Sequence, residues 1–139
     1  KKKKLTSKFI SLLTILLWLI VYKFFFLFIF RKKNQLVIFD RYAHDLLIDK
    51  KKYRFNLPKK FTQFILNLFP KPNLWIVLKA PIKLIEKRKK ELSINELKRQ
   101  MNEYINFSKK QKNTLLVDTE KKIEKNILLI ARKMKSIMS

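Results

Sequence analysis

The stretch from Phe9 to Phe30, FISLLTILLWLIVYKFFFLFIF, constrains the fold more than any other. Its 22 residues are interrupted only by Lys23 and by hydroxyls. A helix that is apolar all round must be covered by lipid or by the core of a domain. Lysines flank both ends, as they do at membrane spans. No small-residue cleavage site follows, so a signal peptide fits poorly. On composition two readings stay open: a transmembrane helix, or a buried helix of an α/β domain.

The chain has 139 residues, enough for one modest domain. With 47% hydrophobic residues it is too apolar for a disordered tail. The absence of cysteine excludes disulfides and thiolate metal sites, and the single histidine, His44, argues against a histidine-built metal site. Glycine is absent too. A phosphate-cradling Gly-x-x-x-x-Gly-Lys loop needs its glycines for close backbone approach, so none exists within this chain. The net charge is +24, from 34 basic and 10 acidic residues. Such a charge suits nucleic acid or an anionic membrane surface. Yet lysine is spread along the whole chain, as in a compositionally biased sequence, and no nucleic-acid motif interleaves aromatics with it. The six arginines are the more informative cations, because a guanidinium grips phosphate with two parallel bonds.

Beyond the long helix the pattern alternates. QLVIF (35–39), LWIVL (74–78) and TLLV (114–117) read as short buried strands. FTQFILNLF (61–69) has helical spacing, with Phe61, Ile65, Leu66 and Phe69 on one side, and ends at Pro70 and Pro72. Pro81 opens a helix to about residue 91. Ser93, with Glu96 three residues on, is a capping box for a helix to about residue 109. A last amphipathic helix from about residue 120 to 138 is expected to bury Ile123, Ile127, Ile130 and Met134. Trp18 and Trp75 are expected in the core. Apolar strands alternating with helices imply a parallel sheet with ligands at the strands' carboxyl ends, where Asp40-Arg41, Lys79-Ala80 and Asp118 lie.

Three segments, VIFDRYAHDLLIDKKKYRF, LFPKPNLWIVLKAP and KRKKELSINELKRQMNEY, resemble in order and spacing the thymidylate kinase-like branch of P-loop nucleotide kinases. The resemblance covers about residues 35–118. It implies an α/β fold, a parallel three-layer P-loop kinase-like sheet, N-terminally truncated because the family's first strand, phosphate loop and first helix have no counterpart. It also implies roles. Asp40 would sit near Mg²⁺ and the phosphates, directly or through water. Arg41 would hold the acceptor phosphate, and Tyr42 would pack near the acceptor nucleotide. His44, Asp45 and Asp49 share that acceptor-side segment, with Arg54 close after. Arg88 would reach from a lid toward the transferring phosphoryl group, with Lys90 beside it. The cofactors implied are ATP and Mg²⁺. The chain departs from the family pattern at Lys79, Lys83 and Lys90, where acids or a glycine are usual.

The expected organisation is one kinase-like domain fragment: an apolar helix over 5–33, an acceptor and lid region over 35–118, and a C-terminal helix over 119–139. The expected function is phosphoryl transfer from ATP to a nucleoside monophosphate in a complete protein, with no activity expected of this chain alone. The expected partners are those two nucleotides and a second copy of the chain, with membrane contact through Phe9–Phe30 open and nucleic acid disfavoured. In the family's helices of this kind the apolar stretch packs on the sheet, which favours the cytoplasmic, buried-helix reading. The competing class is a membrane-anchored basic protein with a small non-catalytic α/β part.

Overall fold

The structure is a computed structural model that describes residues 4–30, 35–88 and 92–138. The chain divides into two compact units, Lys1–Lys71 and Pro72–Ser139.

The first unit is built on α1 (Lys8–Phe30), followed by the short α2 (Asp45–Ile48) and by α3 (Lys59–Leu66). One stripe of α1 packs inward. Ser11 and Ile15 are buried. Trp18 meets Tyr53 edge-on at 5.9 Å between centroids, and Tyr22 meets Tyr42 at 4.8 Å and Phe69 at 5.4 Å. Residues 11, 15, 18 and 22 recur at the spacing of one helical face. Polar bonds fasten the same end of the helix. The Asn56 amide donates to Ser11 Oγ at 2.9 Å, and both the amide and the hydroxyl of Thr6 donate to the Arg54 carbonyl at 2.8 Å. Ala43, Leu46, Phe55, Leu66 and Phe69 fill the core beneath. On α3 the buried positions are Thr62, Ile65 and Leu66, while Phe61 is exposed, contrary to expectation. Thr62 can be buried because its hydroxyl donates to the Pro58 carbonyl at 2.9 Å.

The second unit is β1 (Trp75–Lys79), α4 (Ile82–Arg88), α5 (Ile94–Lys110), β2 (Thr114–Asp118) and α6 (Ile123–Met138). The strands pair in parallel, with Trp75 opposite Thr114 and Lys79 opposite Asp118, and α4 and α5 supply the crossover a parallel pair requires. The Ser93 hydroxyl accepts from the Glu96 amide at 3.4 Å, so the N-cap read from the sequence forms, while the Glu96 carboxylate takes the forked guanidinium of Arg99. Val77, Leu97 and Val117 are the buried centre, and Trp75, half-buried, meets Phe107 edge-on at 4.9 Å.

The three-layer P-loop kinase-like sheet is not formed. The molecule is mostly helical, and among the described residues the sheet has two strands, β1 and β2. Residues 35–39 join no ladder. Leu36 and Ile38 are largely exposed, and of residues 35–39 Phe39 alone is half-buried. The Phe39 ring lies against Tyr22, Phe25, Phe26 and Tyr42 at 5.6–6.4 Å. An apolar pentapeptide becomes a strand only where a neighbouring strand accepts its backbone bonds. Here aromatic packing on α1 fixes it without one. The α6 expectation is also corrected: Ile123 and Ile127 are exposed, and α6 buries no residue fully.

Candidate functional site

The segment that follows Phe39 winds into a series of tight turns. The Asp45 amide donates to the Tyr42 carbonyl, Leu46 to Ala43 and Leu47 to His44, each at 3.0–3.1 Å, and α2 follows directly. These turns bury Tyr42, Ala43, His44 and Asp45 in succession. Asp40 stays exposed.

Arg41 enters the turns with φ 74°, in the left-handed region. A residue with a Cβ is disfavoured there by about 1–3 kcal/mol unless its surroundings hold it. The guanidinium supplies one such hold: Nη1 donates to Asp45 Oδ2 at 3.2 Å. The Arg41 side chain is 40% exposed and that of Asp45 12%. The Arg41 guanidinium also acts on the Tyr53 phenol. Asp45 therefore sits between a guanidinium and the phenols of Tyr22 and Tyr53. Burial first, and the Asp45 carboxylate among the nearby groups, raise both phenols above their ordinary range, and in Tyr53 the Arg41 guanidinium partly offsets this.

Tyr42 donates its hydroxyl to the Pro70 carbonyl and stacks on the His44 imidazole at 5.8 Å. Burial, then the neighbouring Tyr22, raises the Tyr42 phenol. Burial, then the Lys71 ammonium, lowers His44 to about 4, so its imidazole is neutral near pH 7. A neutral, buried imidazole stacked on a phenol shapes a wall and carries no charge to a ligand.

The structure thus brings together Arg41, Tyr42, His44 and Asp45 of the residues picked from the sequence, with Asp40 adjoining. Asp49 closes α2 and accepts from the Lys52 amide at 3.2 Å. Arg54 serves the structure of the unit. At φ 54°, its Nε donates to the Lys4 carbonyl at 2.8 Å, pinning the approach to α1. Arg88 is the last residue of α4 in the second unit; its side chain and all of Lys90 lie outside the described residues. Asp118 caps the turn after β2, accepting from the Glu120 amide at 3.0 Å. Sequence reasoning missed Tyr22, Tyr53 and Lys71. Tyr22 carried a signal, a phenol next to the one lysine inside the apolar stretch 9–30.

Among the described residues no three acidic or histidine side chains converge as a metal-binding group. Asp40 offers one exposed carboxylate, and without glycine the chain has no phosphate-cradling loop. The side chains of Arg88 and Lys90, the cations expected beside a donor nucleotide, lie outside the described residues. What the arrangement offers is one positioned, partly exposed guanidinium over a buried carboxylate. No protein-family model, curated protein or solved structure matches the chain.

Proposed function

We propose that residues 40–53 form the acceptor-phosphate side of a thymidylate kinase-like nucleotide kinase, with Arg41 as the residue that grips the phosphate of a nucleoside monophosphate. The observation that carries this reading is the Arg41 backbone at φ 74° with its guanidinium fixed on Asp45 at 3.2 Å. A strained arginine held by a buried carboxylate is oriented before any ligand arrives. Orientation in advance is what phosphoryl-transfer sites use, since their catalysis is mostly positioning and charge neutralisation. The sequence Asp-Arg-Tyr after an apolar segment supports the same assignment by resemblance. ATP and Mg²⁺ enter only as the donor pair that this resemblance implies.

The test is a calorimetric titration with thymidine monophosphate, thymidine and inorganic phosphate. The monophosphate should bind and the nucleoside should not. Arg41→Ala should weaken binding about tenfold to a hundredfold, the range for losing a charge-assisted hydrogen bond. Arg41→Lys should restore only part of it. Equal monophosphate affinity in wild type and Arg41→Ala would overturn the assignment.

A further inference from the structure

The stripe of α1 opposite its packed face has no cover within its own unit. Phe9, Leu13, Leu16, Ile20, Phe24 and Leu27 repeat at three- and four-residue intervals, and each is 39–71% exposed. At about 1.5 Å per residue the ridge from Phe9 to Leu27 is roughly 27 Å long. No polar side chain interrupts that ridge. Lys23 falls about 60° from its centre line, at the edge, where a long stem lets the ammonium reach water.

We infer that α1 lies in the plane of an anionic bilayer, with this ridge sunk among the acyl chains and the rest of the first unit riding above it. The helix is long and apolar enough to cross a membrane. A crossing would strip Ser11 from Asn56, Trp18 from Tyr53 and Tyr22 from Tyr42. An in-plane helix keeps all of these contacts and still buries the ridge. That α1 is apolar all round, where in-plane helices normally carry a polar face, follows from its inner stripe being packed on protein. Charge decides between lipid and a second copy. The chain carries +24, so two copies joined along this ridge repel, whereas an anionic headgroup layer attracts. Lys4 and Lys8 stand at the start of the helix, and Arg31-Lys32-Lys33 follow it in the sequence.

The experiment is co-sedimentation of the full chain with phosphatidylglycerol–phosphatidylcholine vesicles and with phosphatidylcholine vesicles alone, followed by alkaline carbonate extraction. The expected result is binding that needs phosphatidylglycerol and is released by carbonate. The double variant Leu16→Glu, Ile20→Glu should lose at least about tenfold in partitioning. Both positions are exposed, so the variant keeps its fold, checked by an unchanged near-ultraviolet signal from the Trp18–Tyr22–Tyr53 cluster. Three results would each overturn the inference: no binding to the anionic vesicles, retention through carbonate as for a spanning helix, or a stable dimer in vesicle-free buffer that the double variant dissociates.

Discussion

Arg41 and Asp45 are joined at 3.2 Å across a single turn, and the arginine makes that contact from a left-handed backbone. An i,i+4 pair with one partly exposed partner contributes only about 0–1 kcal/mol. The left-handed backbone costs about as much or more. This pair alone therefore does not offset the cost of the left-handed backbone.

Replacing Arg41 by glycine separates the two effects. Glycine takes φ 74° without a Cβ penalty. Arg41→Gly should be as stable as wild type in urea or more stable by about 1 kcal/mol, while anion binding is lost. A drop in stability above about 2 kcal/mol would mean that the ion pair is structural and the strain incidental.

The packing of the Phe39 ring on α1 gives a second expectation. Phe39→Ala should destabilise the first unit by about 2–3 kcal/mol, less than a fully buried phenylalanine because Phe39 is only half-buried. Ile38→Ser, at a position 81% exposed, should change stability by no more than about 0.5 kcal/mol. Comparable losses at both positions would show that the segment is packed along its length, as a sheet strand would be.

What could be read from the sequence was what local chemistry decides. The long helix, the capped start of α5 and the pairs of β-branched and leucine residues in β1 and β2 each follow from a few neighbouring residues. QLVIF has the same composition as those two strands, yet whether it pairs depends on a partner elsewhere in the chain, and that information is not in the pentapeptide. Periodicity put Phe61 inward beside Ile65 and Phe69. Thr62 stands three, four and seven residues before Ile65, Leu66 and Phe69, also a helical spacing, and its buried hydroxyl bond to Pro58 let it take the inner place. At the site, the sequence placed Arg41 and Asp45 on one segment, but their pairing came only with the fold. Tyr22 and Tyr53 reach that carboxylate from 23 residues before and eight after, and only the folded chain shows it.

The exposure of α6 reverses a core assignment and so makes a direct test. Ile127→Gln, at 60% exposure, should leave the melting of the second unit unchanged and improve solubility. Val117→Ala, at 1% exposure on β2, should cost about 1–3 kcal/mol. If Ile127→Gln were as damaging as Val117→Ala, α6 would bury the face that its amphipathic pattern suggested.

His44 makes the stability of the first unit depend on pH. Its imidazole titrates near 6.5 in the unfolded chain and is lowered to about 4 when folded, by burial and then by Lys71. Between those values the unfolded chain binds a proton that the folded chain refuses. Stability therefore rises with pH across this window. The contribution is fully present above about pH 6.5, falls steadily as the pH drops toward 4, and is gone below it, amounting to at most about 3 kcal/mol. Urea denaturation of the chain at pH 7 and pH 5 should show the loss, and His44→Gln should flatten it, since an amide of similar size takes up no proton. An equal pH slope in His44→Gln would assign the dependence to other groups and leave His44 a wall residue without electrostatic consequence.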